Sequence, residues 1–232
     1  MFSVRVGKAE GGIMGHKIHI IGNSKGFTLV EILIAMVIST IIMGAILMAS
    51  MAGQQAASGI EQKVVVQEDV RAALDLMALE IGMASYNPKA DKTLLAWQSA
   101  ACGTGTAANK GIQQATASNL TVEMDLNGNG SVADANENIT YSYANSQITR
   151  SVSCGAAQAL IGGVNVNVIN NAGTPVFQYF DGNNNTTANI PDIRRIVITL
   201  VVQSSTADLN GQSRTMVYST SVIPRNHIMS VQ

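Results

Sequence analysis

A run of apolar residues near the N-terminus constrains this chain more than any other feature. It begins at Phe27 and continues for about 25 residues, which is long enough for an α-helix to cross a lipid bilayer. Glu31 lies near the start of the run with no opposite charge beside it. A carboxylate in lipid is costly and normally has a partner or a function. The run therefore predicts a membrane helix that carries one functional acid.

The residues before the run are mostly basic, which predicts a cytoplasmic N-terminus and a C-terminal part across the membrane. The basic residues are Arg5, Lys8, Lys17 and Lys25, and the one acid is Glu10. A secretory signal peptide would have an apolar region of about 7–15 residues followed by a small-residue cleavage site. Here the run is longer, and the small residue, Gly26, precedes it. Met14 is an alternative start to Met1, and it would give a leader of only about a dozen residues before Phe27.

Composition limits the remaining function classes. Charged residues make up 12% of the 232 residues and the net charge is −1, so the basic excess of a nucleic-acid-binding protein is missing. Both cysteines, Cys102 and Cys154, follow the apolar run. In an extracytoplasmic domain they would form a disulfide, although two buried thiols are the alternative. Without a pair of histidines nearby they do not form a zinc site.

The helix is expected to continue beyond the membrane. No proline interrupts residues 28–85, and Asn87-Pro88 predicts the end of the helix. Apolar residues recur at spacings of three and four, whereas charged residues, including Glu80, lie mostly off this stripe. The stripe consists of Val66, Val70, Leu74, Met77 and Ile81. Its apolar face predicts packing against another layer.

The rest of the chain has a β pattern. Residues 89–118 predict loops with at most a short helix, and about seven strands follow, connected by loops rich in Asn and Gly. Residues 139–143 and 148–152 predict a hairpin around residues 144–147. The other strands are predicted within residues 120–126, 164–169, 176–180, 193–202 and 215–223. The predicted fold class is α+β, a long N-terminal helix packed on a mostly antiparallel sheet.

One loop resembles the first half of a calcium-binding loop. Asp125, Asn127 and Asn129 hold positions one, three and five, and Gly130 holds position six. Ser131 and Asp134 could add oxygen ligands. Asn136 stands where the bidentate glutamate belongs, and Glu137 is one position late. A turn that uses Asn and Gly for positive φ is the alternative, which the sequence favours.

No catalytic arrangement is recognisable, so we do not expect an enzyme. His16 and His19 precede the apolar run, and His227 is expected to be an exposed residue near the C-terminus. The chain has no phosphate-binding loop and no CxxC pattern. Apart from calcium, no cofactor is expected.

The residues Gly26-Phe27-Thr28-Leu29-Val30-Glu31 resemble the processing site of type IV prepilins and type II secretion pseudopilins. The resemblance implies a pilin-like fold and a leader that a prepilin peptidase removes between Gly26 and Phe27. The same peptidase would methylate the new Phe27 terminus. Glu31 would pair with the amine of a neighbouring subunit in the fibre.

Within this family the chain is most similar to PilW-like minor pilins and to J-type minor pseudopilins. The similarity rests on residues 124–130 (MDLNGNG), residues 139–143 (ITYSY) and the order of the parts. It implies a leader at 1–26, a transmembrane assembly helix at 27–52, a periplasmic helix at 53–86 and a β-rich domain at 87–232. The expected role is to initiate or prime a pilus. A minor pseudopilin or a pilus-tip ligand-binding module is the alternative.

The resemblance also implies partners and a location. The partners would be other pilins or pseudopilins bound through the N-terminal helix, the prepilin peptidase and the inner-membrane assembly platform, with no nucleic acid. The location would be the bacterial inner membrane as a single-pass protein with a periplasmic C-terminal domain. The protein would then enter a fibre that can reach the cell surface.

Overall fold

The computed structural model describes residues 26–89, 103–163, 166–204 and 213–228. The chain forms two compact units, Met1–Met51 and Ala52–Gln232. Helix α1, Leu29–Gly82, contributes to both. Its length confirms the predicted long helix, which ends in a turn at residues 83–85, shortly before Pro88.

In the first unit, the surface of α1 is almost entirely uncovered. Every residue from 26 to 51 is exposed except Gly44. The exposed side chains include Phe27 at 83% and Met48 at 76%. In the described part of the chain, α1 is the helix long and apolar enough to cross a membrane. An apolar surface of this extent requires lipid or other protein around it.

In the second unit, α1 packs one face into the core. The five residues of the predicted stripe are all at most 6% exposed and belong to one apolar cluster with the sheet residues. Ala73, on the same face, is buried with them. The stripe prediction is therefore confirmed, because the helical period places these residues on a single side.

The first sheet has five strands in chain order, each antiparallel to the next. The strands are β1 (Ile112–Ala115), β2 (Asn119–Glu123), β3 (Asn138–Ala144), β4 (Gln147–Val152) and β5 (Gln158–Gly162). The predicted hairpin is β3–β4. Its two-residue turn consists of Asn145 and Ser146, both with positive φ, at 50° and 59°, as a type I′ turn requires.

The second sheet is built around one long strand. Its strands are β6 (Val166–Val168), β7 (Phe177–Phe180), β8 (Arg195–Ser204) and β9 (Thr215–Val222). Strand β8 pairs with β7 and β6 along one edge and with β9 along the other, always antiparallel. Alternate residues of β8 are buried, so one face of this sheet contributes to the core. The predicted strand count was wrong by two, because β1 and β5 were missed.

Glu80 differs from its predicted place. It is 7% exposed on the buried side of α1 and bridges to the first sheet. Its Oε1 accepts a hydrogen bond from Arg150 Nη2 at 2.6 Å, and its Oε2 accepts one from Arg150 Nε at 3.0 Å. The hydroxyl of Tyr141 also donates to Oε2. Burial raises the pKa of Tyr141 well above its usual range, so this hydroxyl remains a donor.

His227 is buried, and the expectation of an exposed histidine was wrong. It lies in the single turn α2 (Arg225–Ile228) and is 1% exposed. Its Nε2 is 2.9 Å from the carbonyl oxygen of Ile190, which can only accept, so the hydrogen-bond pattern places the proton on Nε2. Its Nδ1 then accepts from Ser85 Oγ at 3.0 Å, and this oxygen accepts from Gly111 N at 2.9 Å. The histidine thus joins the end of α1 to the C-terminus.

Candidate functional site

The N-terminus of α1 is closed by a reciprocal pair of hydrogen bonds between Thr28 and Glu31. Thr28 directly precedes the first helical residue, Leu29, and Glu31 is the third residue of the helix. Thr28 N donates to Glu31 Oε2 at 2.8 Å, and Glu31 N donates to Thr28 Oγ1 at 3.3 Å. This is a capping box, which satisfies two of the main-chain N–H groups that every helix leaves unpaired at its start.

The capping box could have been found from the sequence. A Thr followed three positions later by Glu, immediately before an apolar run, is its signature. The family resemblance assigns Glu31 only to a neighbouring subunit and does not include this local role.

The two carboxylate oxygens of Glu31 have different environments. Oε2 accepts from both Thr28 N and Thr28 Oγ1, the latter at 3.0 Å. Among the described residues no donor is recorded for Oε1, and the side chain is exposed. One oxygen therefore holds the helix end while the other remains available to an outside donor.

The helix face that carries Glu31 is suited to close contact with another helix. Glu31, Ala35 and Ser39 are spaced four apart, so they form one row along α1, and Phe27 lies four positions before Glu31, just ahead of the helix. Small residues at such positions allow helices to approach closely in lipid. The hydroxyl of Thr40, beside this row, is satisfied by the Val37 carbonyl at 2.8 Å and does not oppose burial. A neighbouring helix could thus cover this face and reach Glu31.

The sequence of this segment matches a family model. The model is described as the prokaryotic N-terminal methylation motif, and it matches residues 21–47. This match supports a type IV pilin or pseudopilin family for the chain. No curated protein and no solved structure is significantly similar to the chain.

The processing that this motif implies would take place next to the capping box. Gly26 and Phe27 precede α1, and both are exposed. No atom outside the neighbouring residues lies within 4 Å of the position that a Cβ on Gly26 would occupy. Cleavage between Gly26 and Phe27 and methylation of Phe27 stay predictions. The family implies a prepilin peptidase and other pilins as general partners.

The predicted disulfide of the pilin domain involves one residue outside the described ones, Cys102. Cys154 lies in the turn after β4 with a positive φ of 60°. There is no free cysteine among the described residues. The Cys102–Cys154 pairing stays a prediction.

The loop between β2 and β3 brings together most of the residues predicted for calcium. Asp125 is fully buried, and its two oxygens accept from Gly128 N at 2.6 Å and Gly130 N at 2.9 Å. Asn127 Nδ2 and Asn129 Nδ2 donate to Asp134 Oδ2 at 3.0 and 2.5 Å. These two amides lower the pKa of Asp134 below its usual value, which keeps it ionised.

Two residues of the loop behave differently from the prediction. The Ser131 hydroxyl accepts from Ala133 N at 3.1 Å, so its main-chain carbonyl is the group that fits position seven of a calcium loop. Glu137, which the sequence placed one position late, is 1% exposed, and its Oε1 accepts from Leu126 N and Asn127 N at 2.9 and 3.2 Å. Among the described residues, no three His, Cys, Asp or Glu side chains group closely enough to hold a metal by themselves.

Proposed function

We propose that the chain is a PilW-like minor pilin that helps to initiate or prime a type IV pilus after cleavage between Gly26 and Phe27. The observation that carries the proposal is the exposed Glu31, whose Oε2 caps its own helix while no donor is recorded for Oε1. In this proposal, residues 1–26 are a leader, residues 27–52 lie in the inner membrane, and residues 53–232 lie in the periplasm. The protein is a structural subunit and catalyses no reaction.

Cleavage creates the donor that Glu31 lacks. The new terminus at Phe27 is a cationic amine, and the amine of a neighbouring subunit fits the available oxygen of Glu31. Charge pairs in a low-dielectric helical bundle are sensitive to register, because a slip leaves both charges buried without a partner. Glu31 would thus select the position of each subunit as the bundle forms, and the small residues Ala35 and Ser39 would allow the close approach that this requires.

The assignment as a minor subunit is supported by the helix itself. In the family that the chain resembles, many major pilins have a proline near the position that Met48 holds here. In contrast, α1 has no proline from Leu29 to Gly82. The similarity of residues 124–130 and 139–143 to PilW-like proteins favours the same subtype.

The first experiment is mass spectrometry of the N-terminal peptide from cells with and without the prepilin peptidase. A methylated Phe27 terminus that disappears without the peptidase is the expected result. An intact leader, or a cut beyond residue 51, would refute the proposal.

A second experiment distinguishes a minor pilin from a minor pseudopilin. Deleting the gene should reduce the number of surface pili while secretion of folded proteins continues, and the wild-type gene should restore them. A loss of secretion with normal pili would identify a minor pseudopilin instead. When the deletion strain is complemented with the Glu31→Gln variant, less of the protein should co-purify with other pilins than when the strain carries the wild-type gene. Glu61→Gln, a change of another exposed acid on α1, should not reduce co-purification.

A further inference from the structure

The loop between β2 and β3 holds three carboxylates without a cation. They belong to Asp125, Asp134 and Glu137, and their recorded partners are N–H groups of the same loop. In the described part of the chain, the recorded salt bridge joins Glu80 to Arg150, which leaves the three loop acids without a basic partner. Three carboxylates within 13 residues therefore have no basic partner among the described residues.

Glu137 supplies an observation that is independent of this clustering. Its Oε1 is held against the loop by Leu126 N and Asn127 N, yet its Oε2 is buried and has no hydrogen-bond partner. Among the described residues, Glu137 Oε2 is the buried side-chain polar atom that has no hydrogen-bond partner. A buried carboxylate oxygen without a donor is costly, and a bound ion is one of the arrangements that would satisfy it. Because Oε1 accepts from two N–H groups of the loop, the carboxylate that carries Oε2 is held at the loop.

The late position of Glu137 is resolved by a tight turn. Glu137 N donates to the Asp134 carbonyl at 3.2 Å, and Asn136 between them has a φ of 65°. This turn absorbs the additional residue and returns Glu137 to the start of the loop. A glutamate at position thirteen can thus occupy the place that position twelve holds in the standard calcium loop.

We propose that the loop from Asp125 to Glu137 binds a calcium ion, with Glu137 as its terminal carboxylate ligand. The other oxygens would come from Asp125, Asn127, Asn129, the Ser131 carbonyl and Asp134. Side-chain amides and main-chain carbonyls are ordinary calcium ligands, so the site does not need three acids in mutual contact before the ion arrives. On binding, the amides of Asn127 and Asn129 exchange their hydrogen bonds to Asp134 for bonds from oxygen to calcium.

The chemistry favours calcium over magnesium. The candidate ligands are all oxygens, on a loop that bends at Gly128 and Gly130, both of which have positive φ. Calcium accepts six to eight oxygens in flexible geometry, whereas magnesium requires near-ideal octahedral geometry and retains several waters. A loop of mixed amide, carbonyl and carboxylate oxygens therefore suits the larger ion.

The test is a calorimetric titration of calcium into the full-length protein. The protein is first purified in detergent and treated with chelator. We expect one site with a dissociation constant on the order of 10⁻⁴ M, as in extracellular calcium modules. Saturating calcium should raise the unfolding temperature by roughly 5 °C relative to chelator. Magnesium at the same concentration should give less than half of this shift.

Variants distinguish this site from nonspecific binding. Glu137→Gln keeps an oxygen for Leu126 N and Asn127 N but removes the charge, and should weaken binding at least tenfold. Asp134→Asn, at a less buried position, should do the same if the first variant folds poorly. The control is Asp181→Asn, in another loop rich in Asp and Asn, which should bind calcium like the wild type.

Three results would overturn the proposal. They are the absence of saturable binding up to millimolar calcium, equal binding by magnesium, and wild-type affinity in folded Glu137→Gln and Asp134→Asn. The calcium proposal does not rest on the proposed pilus function. Its failure would leave the methylation of Phe27 and the pilus count unaffected.

Discussion

Replacing Arg150 with methionine tests how the second half of α1 is held on the first sheet. The Glu80 side chain is 9% exposed and the Arg150 side chain 21%. Arg150→Met removes the donors at 2.6 and 3.0 Å and leaves the Glu80 carboxylate with the Tyr141 hydroxyl. Removing one partner of a fully buried ion pair costs about 3–5 kcal/mol.

Partial exposure of Arg150 reduces this cost, so we expect a loss of about 2–3 kcal/mol in the free energy of unfolding. With a urea dependence of about 2 kcal/mol per molar, the midpoint should fall by about 1 M. The assay is urea unfolding of the detergent-solubilised chain, followed by circular dichroism. The control, Arg71→Met, changes an exposed arginine of α1 and should shift the free energy of unfolding by less than about 0.5 kcal/mol.

A double variant distinguishes loss of the ion pair from loss of side-chain packing. In Glu80→Met with Arg150→Met, no charge remains buried, so the total cost should be smaller than the sum of the two single costs by at least about 1 kcal/mol. If the single costs simply add, or if Arg150→Met shifts the midpoint no more than Arg71→Met does, the reasoning about this pair is wrong.

Three further predictions concern the second unit of the chain. Burial lowers the pKa of His227 to about 4, so protons bind the unfolded chain first. The free energy of unfolding should therefore fall by about 1.4 kcal/mol for each pH unit as the pH is lowered from 6.5 to 4. Urea midpoints measured across this range should show a smaller slope in His227→Gln. Ile81→Ala should cost about 2–5 kcal/mol because the side chain is fully buried, whereas Ile60→Ala, at 64% exposure, should cost less than about 0.5 kcal/mol; equal midpoints in urea would contradict the assigned core face. Gly111→Ala would place a Cβ 2.2 Å from Ser85 N, so thermal unfolding should show one of the largest losses of any single change, and a wild-type transition would refute the contact.

Features encoded by local pattern could be predicted from the sequence. The stripe from Val66 to Ile81 follows the helical period, and the β3–β4 hairpin follows from two alternating runs around a short polar turn. In both cases residues close in the chain determine the structure. The N-terminal motif is equally local, and the sequence alone identifies Glu31 in it.

Features that depend on distant residues could not be predicted in this way. Glu80 reads as a solvated charge until Arg150, 70 positions away, supplies its donors. His227 reads as a terminal residue until Ser85 and Ile190 enclose it. Strand β1 has two glutamines among its four residues, so its alternation is weak and pairing with β2 determines its structure.

The loop proposed to bind calcium lies between these two cases. The positions of Asp125, Asn127 and Asn129 are readable from the sequence, but the place of Glu137 depends on a turn that compensates for one additional residue. Spacing rules assume a fixed path for the main chain. The left-handed conformation of Asn136 changes that path. A strict count of positions therefore excludes Glu137 as a candidate ligand.

The capping box at the start of α1 has a consequence for recognition that differs from its effect on the helix. A glutamate side chain loses about 1.5–2 kcal/mol of rotamer entropy when it is immobilised. In Glu31, the bonds from Thr28 already restrict the side chain, so in the proposed assembly an arriving amine would meet a preorganised acceptor and the entropic penalty of association would be smaller. Aspartate, one methylene shorter, could not extend as far from the helix while still bonding Thr28 N. In the proposed fibre, the spacing of Thr28 and Glu31 would thus link the conformation of one subunit to its readiness to bind the next.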